Sequence, residues 1–213
     1  MQDCGVTLLR TCGALLVASI ILLVDGCSSS PPNPGRIIVA FDRSGSTTGF
    51  RADQLACLRE AKLMSVKQDI PLEVFSYDYQ ANLVYGPEVP YSDDALFAMK
   101  RSWFVPDSGH PLVGTRPAAL LEAIAAEAIQ MQAGPNHILI LSDGDNDFYN
   151  DRRRIKAAAV TIAKIPDVRL SLIGIHPENR AAWQHLVGTA LGSRLDIDGP
   201  GNQEESTLAD LRK

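Results

Sequence analysis

The chain has 213 residues, 46% of them hydrophobic and 21% charged, with a formal net charge of −5. This is enough apolar material for one sizeable core, and a single domain is the natural expectation. Acidic and basic residues are interspersed, with no basic stripe to track phosphates, which argues against nucleic acid as a partner.

The first segment does not read as part of a fold. Arg10 precedes an apolar run from about Gly13 to Val24. The run is shorter than the roughly 20 residues that cross a bilayer but suits the apolar region of a secretory signal. It closes on Val24-Asp25-Gly26-Cys27, and Ser28-Ser29-Ser30-Pro31-Pro32-Asn33-Pro34-Gly35 follows. The segment resembles a bacterial lipoprotein signal, in which a small residue precedes the cysteine whose sulfur carries the diacylglycerol. Asp25 departs from the small or apolar residue usual there, and Val24 stands where Leu is commoner. An uncleaved anchor or an ordinary secretory signal are the alternatives. The resemblance implies a signal peptide over 1–27 ending at a lipidated Cys27, a Ser/Pro-rich tether over 28–35, and a domain over 36–213. The protein would then be a membrane-anchored lipoprotein on a periplasmic or extracellular face. Cys4 and Cys12 fall in the same segment, so no disulfide framework is expected, and Cys57 reads as a small buried residue of a helix.

From Arg36 onward strands and helices alternate. Arg36–Asp42 (RIIVAFD) is a continuous apolar run, as expected of a parallel strand buried on both faces. A Ser/Gly/Thr turn leads to a helix over about 52–67, with Leu55, Leu58 and Leu63 near one face. The segments 71–77 and 81–85 predict an edge hairpin. A helix is expected over 92–103, with Ser92 as N-cap. The clearest amphipathic helix spans 117–132, where Leu120, Leu121, Ile124, Ala128 and Met131 recur at helical spacing. A buried strand over 137–142, a helix over 151–165 and a strand over 168–175 follow. A helix over 181–191, an edge strand over 194–197 and a terminal helix over 204–212 complete the pattern. It predicts an α/β fold: a doubly wound, mostly parallel sheet with helices on both faces and one antiparallel edge strand. Ligands of such sheets sit beyond the carboxyl ends of the strands, where strand order reverses.

That rule gathers Asp42-Arg43-Ser44-Gly45-Ser46, Gly114-Thr115 and Asp143-Gly144-Asp145 at one edge. Two carboxylates and three hydroxyls there suit a hard cation with oxygen ligands. The alternate spacing of Asp42, Ser44 and Ser46 lets one loop turn three side chains inward, with Gly45 easing the bend. Taken alone, Asp-x-Ser-x-Ser also suits a helix N-cap turn, and Thr115 suits the N-cap of the helix that Pro117 opens. Arg43 and Asp145 read as solvated neighbours.

Asp42-x-Ser44-x-Ser46, Thr115 in a Gly-Thr loop, and Asp143-Gly144 after an apolar strand resemble the metal ion-dependent adhesion site (MIDAS) of von Willebrand factor type A (VWA) domains. The resemblance covers 36–213. It implies that Ser44, Ser46 and Thr115 contact Mg²⁺ (or Mn²⁺ or Ca²⁺) directly, while Asp42 and Asp143 act through water. It also implies an open coordination position for an acidic side chain of a protein partner. The expected function is metal-dependent protein binding in a bacterial envelope, without catalysis. The competing readings are a metal-independent interaction scaffold and a Mg²⁺-assisted phosphoester hydrolase, for which no acid/base or nucleophilic group is evident. Other signals are weaker. Asp143-Gly-Asp145-Asn-Asp147 lacks the glycine and glutamate of an EF-hand loop, since Phe148 and Arg154 occupy those positions. His110, His137, His176 and His185 lack zinc-site spacing. Arg152-Arg153-Arg154 reads as an exposed helix start, and Trp103, Phe104 and Tyr149 as core or loop packing.

Overall fold

The structure is a computed structural model and describes residues 35–92, 114–128, 131, 134–146 and 149–198. Cys27 with the signal and tether, nearly all of the helix expected at 92–103, the loop bearing Phe104 and His110, and the terminal helix at 204–212 lie outside them.

Six strands form one sheet: β1 (Arg36–Asp42), β2 (Leu72–Tyr77), β3 (Ala81–Glu88), β4 (Asn136–Leu141), β5 (Val168–Ile173) and β6 (Leu195–Ile197), in the order β3-β2-β1-β4-β5-β6. Every pairing is parallel except β2 with β3, which is antiparallel at one edge. The sheet is therefore doubly wound, as the alternation of strands and helices predicted. Strand order reverses between β1 and β4, which lie side by side with Phe41 opposite Leu141.

β1 is central because its side chains are apolar on both faces. Ile37, Val39 and Phe41 enter one core with Cys57, Leu58, Ala61 and Met64 of α1 (Arg51–Gln68). Ile38 and Ala40 enter the other, beneath α2 (Pro117–Glu127), α3 (Arg152–Ile162) and α4 (Pro177–Trp183). Each large aliphatic side chain so buried contributes about 1.5–3 kcal/mol against the entropy of ordering the chain.

The elements differ from expectation in instructive ways. On α1, Leu58 is fully buried but Leu63 is 62% exposed. The inward face is instead Gln54, Cys57, Leu58, Ala61, Met64 and Ser65. Leucine spacing misled because the inward stripe also carries Gln54 and Ser65, which donate to the Asp42 and Ile70 carbonyls, and because Met64 rather than Leu63 enters the core. α1 stops where Asp69 adopts a left-handed conformation (φ 56°), its N–H closing on Ser65 O. α2 buries Leu120, Leu121 and Ile124 as its periodicity predicted. α4 starts four residues early because Pro177 supplies a ready-made first turn. It continues through a π-helical turn, Gln184–Gly188, to Leu191.

Candidate metal centre

Beyond the carboxyl ends of β1 and β4 the chain must leave a buried sheet, and its polar groups need partners there. Asp42, the last residue of β1, is fully buried. Its Oδ1 accepts the Ser44 backbone N–H at 2.8 Å and its Oδ2 accepts the Ser142 hydroxyl at 2.7 Å. Ser142 Oγ in turn accepts the Gly144 N–H at 3.0 Å, so one hydroxyl couples the β1 loop to the β4 loop. The Asp42 carbonyl accepts Thr47 Oγ1 at 2.9 Å and Gln54 Nε2 at 3.2 Å, which explains the buried glutamine on α1.

After Asp42 the chain enters a short 3-10 turn, Gly45–Phe50. Ser44 precedes that turn but makes no side-chain capping bond; its Oγ lies 3.1 Å from Ser46 Oγ. Helix capping therefore does not account for the Ser44 hydroxyl. Ser44 is buried and Ser46 exposed, so the pair runs from the interior to the surface. Left-handed glycines at this edge include Gly114 (φ 69°), Gly144 (φ 87°) and Gly174 (φ 88°), whereas Gly45 simply opens the 3-10 turn.

Thr115 is 1% exposed and lies one residue before Arg116, which is itself the N-cap of α2. The Arg116 N–H donates to Asp78 O at 2.8 Å, holding this loop at the carboxyl end of β2. Asp143 is 2% exposed. Its carbonyl accepts the His176 N–H at 3.0 Å, and its Oδ1 accepts the Asp145 N–H at 3.0 Å. Gly144 O accepts Trp183 Nε1 at 2.9 Å. A Cβ on Gly144 would lie 3.0 Å from both Ile175 Cγ2 and Trp183 Nε1 in a left-handed turn, so a side chain at this position is strained.

Burial pushes the Asp42 carboxyl up from 3.8 to about 6, against the Ser44 N–H and the Ser142 and Ser44 hydroxyls, with Asp143 adding to the rise. Burial, followed by the charge of Asp42, also holds the Tyr77 hydroxyl well above its ordinary range. Burial lowers the Arg51 guanidinium at the start of α1 below its ordinary value, and the charge of Asp42 opposes that shift.

All five sequence-predicted residues thus lie at one sheet edge, Asp42 at the end of β1 and the others on the segments that follow the strands or precede α2. Asp42, Ser44 and Ser46 are joined by hydrogen bonds, and Asp143 acts on Asp42 electrostatically. Arg43 is a correction: it is 5% exposed, not solvated, and its Nη2 bonds Asp78 Oδ2 at 2.8 Å. Asp145 is exposed as expected, its Oδ1 accepting Asn179 Nδ2 at 2.8 Å. Sequence reasoning missed Ser142, Thr47, Gln54 and Trp183. Of these, Ser142 had a signal, since it continues β4 beside Asp42 in the parallel register. Among the described residues no three His, Cys, Asp or Glu side chains gather as a metal cluster.

No protein-family model matches the chain, and no curated protein matches its sequence. Solved structures do match in fold. A von Willebrand factor type A protein from Catenulispora acidiphila is 17% identical with a TM-score of 0.56, over 84% of this chain and 41% of its own. The TFIIH p34 N-terminal domain is 11% identical with a TM-score of 0.57, over 84% of this chain and 96% of its own. Proximal thread matrix protein 1 from the mussel byssus, with a zinc-occupied MIDAS motif, is 13% identical with a TM-score of 0.52, over 84% of this chain and 46% of its own. The chain thus spans less than half the length of the first and third of these. The fold is VWA-like.

Proposed function

We propose that this chain is a divalent-metal-dependent protein-binding module on a VWA-like fold, held at a bacterial membrane through a lipidated Cys27. The observation that carries the proposal is a pair of buried carboxylates, Asp42 and Asp143, at the point where strand order reverses, bordered by the facing hydroxyls of Ser44 and Ser46. Asp42 receives its hydrogen bonds from neutral donors while Asp143 raises its proton affinity. A bound cation reverses that balance by favouring both charged forms.

The residues fit such an ion. The donors are all oxygen and carry two carboxylates, a set suited to Mg²⁺, with Mn²⁺ or Ca²⁺ as substitutes. Ser44, Ser46 and Thr115 would hold it directly, with Asp42 and Asp143 acting through water. The zinc-occupied MIDAS motif of the mussel protein supports a divalent ion on this fold. When bound, the ion supplies a Lewis-acidic position for an acidic side chain of the partner. The protein's own part is orientation. Ser142 and the Ser44 N–H fix the Asp42 carboxylate, Thr47 ties the Asp42 and Ser44 carbonyls together, and Trp183 pins the Asp143-Gly144 turn. β1 enters from Gly35 at the opposite end of the strand, so the site lies at the edge away from that entry.

The test is a Mg²⁺ titration of the full chain followed by NMR, together with mass spectrometry of Cys27 from membranes. Saturable shifts of the Ser44, Thr115 and Asp143 amides, and a diacylglycerol on Cys27, are the expected results. Unchanged amides at millimolar cation would overturn the metal site, and an unmodified Cys27 would overturn the anchor.

A further inference from the structure

The candidate ligands sit on three separate loops, and a cation site of this kind works only if those loops keep their spacing. One continuous set of hydrogen bonds and ion pairs links all three. It begins between Asp42 and Ser44, where the Arg43 guanidinium, almost fully buried, bonds the Asp78 carboxylate at 2.8 Å. The Arg43 N–H also donates to Tyr77 O at 2.7 Å. Asp78 then passes the link to the second loop, its carbonyl accepting the Arg116 N–H at 2.8 Å. The Arg116 side chain continues to the third. Its Nε and Nη2 meet Asp151 Oδ2 and Oδ1 at 2.7 and 3.3 Å, a two-pronged pairing across 35 residues. Asp151 closes the segment that starts at Asp143, and only 2% of its side chain is exposed. Arg154 Nη1 reaches the same Asp151 Oδ1 at 3.0 Å, and Arg154 is itself anchored on Glu122 of α2. The Arg116 guanidinium lies over the Tyr79 ring, 5.2 Å from its centroid.

We infer that Arg116 and Asp151 are positioning residues: together they form a latch that sets Thr115 against the Asp143 loop. The inference rests on the metal-site reading given above and adds to it how the second loop is held. Thr115 is adjacent to Arg116, whose backbone is fixed to the β2–β3 turn and whose side chain is fixed to the β4–α3 loop. The residue is therefore held from both neighbouring loops at once. The three consecutive arginines at the start of α3 divide accordingly: Arg154 is spent on Asp151 and Glu122, while Arg152 and Arg153 are exposed. A guanidinium at 116 is required because two parallel bonds fix direction, which an ammonium cannot do.

The test compares the full chain with Asp151→Asn, Arg116→Lys and, as an exposed control on α3, Arg153→Gln, reading two quantities. The first needs no metal: hydrogen–deuterium exchange of the segment at 114–121. The latch predicts roughly 10-fold faster exchange there in Asp151→Asn and Arg116→Lys, with β1 and β4 unchanged and Arg153→Gln close to wild type. The second is Mn²⁺ affinity, which should fall roughly 10-fold in Asp151→Asn and Arg116→Lys and stay within about 2-fold in Arg153→Gln. Unchanged exchange at 114–121 in both latch variants overturns the inference. So does a drop in melting temperature in both latch variants with Mn²⁺ affinity intact, which would be the mark of a merely structural ion pair. If the wild-type chain takes no Mn²⁺ while the exchange pattern holds, the metal reading fails and the latch stands as loop architecture. Arg116→Lys, which keeps the charge, serves where Asp151→Asn does not fold.

Discussion

Each end of the central sheet buries a carboxylate, and the two are held in different ways. At the amino end, Glu73 on β2 accepts Arg36 Nη1 at 2.6 Å, and the same guanidinium lies 3.6 Å from Glu127. Burial raises the Glu73 carboxyl above its ordinary value, and Arg36 is the main force opposing that rise. At the carboxyl end, Asp42 is also raised by burial, but its opposition comes from a backbone N–H and two hydroxyls, and a second carboxylate adds to the rise. One end answers its buried charge with a cation from its own chain. The other hydrogen-bonds the charge to neutral donors, with Arg51 coupled to it electrostatically, an arrangement suited to a cation from solution.

The largest effect that should separate the two ends is on stability. Arg36→Ala leaves Glu73 buried without its guanidinium, and chemical denaturation at neutral pH should show a loss of about 3 kcal/mol. Cation binding by the folded fraction should be unaffected; a parallel loss of binding would mean that the two ends are not independent.

Asp42 should produce a pH effect of similar size and distinctive sign. Its folded value of about 6 lies above the ordinary 3.8, so the metal-free folded state holds the proton more tightly than the unfolded state. The stability this contributes is complete below the ordinary value and is lost as pH rises through about 6. Denaturation of Asp42→Asn beside wild type isolates the contribution. The variant should gain about 3 kcal/mol relative to wild type between acid and neutral pH, and saturating Mn²⁺ should cancel that gain by stabilising the wild type alone. A gap that narrows with rising pH would contradict the assigned burial of Asp42. Asparagine suits the test because its amide can still accept the Ser44 N–H and donate to Ser142 Oγ.

Smaller effects sharpen the picture within the site. Gly144→Ala forces a side chain into a left-handed turn and against Trp183, and should cost about 1–3 kcal/mol in thermal denaturation. It should also weaken cation binding, because the Asp143 turn shifts with it. Asp145→Ala, at an exposed position outside the ligand set, should change stability by less than about 0.5 kcal/mol and leave cation affinity alone. An Asp145 effect comparable to that of Asp42 would move the site outward along the loop.

Much of this was legible in the sequence, for physical reasons. β1 was readable to the residue because a strand buried on both faces leaves an unbroken apolar run, and the edge hairpin because a polar turn separates two β-branched and aromatic stretches. The edge on which Asp42, Thr115 and Asp143 lie followed from strand alternation alone. What was not legible depended on contacts distant in sequence. Arg43 looked like a solvated loop residue because its partner, Asp78, lies 35 residues away in the β2–β3 hairpin turn. Gln54 carried no signal in the sequence, because nothing local shows that the Asp42 carbonyl needs a donor. Arg154 read as the exposed start of a helix because Glu122 and Asp151 come together only when α2 packs against α3.

The most direct test of the central claim is calorimetric titration of Mn²⁺ into the full chain at neutral pH, beside Asp42→Asn and Glu73→Gln. Wild type and Glu73→Gln should saturate alike, while Asp42→Asn binds on the order of 10- to 100-fold more weakly. Equal affinity in wild type and Asp42→Asn, or no saturable binding in wild type, would contradict the assignment of a cation to the carboxyl end of the sheet.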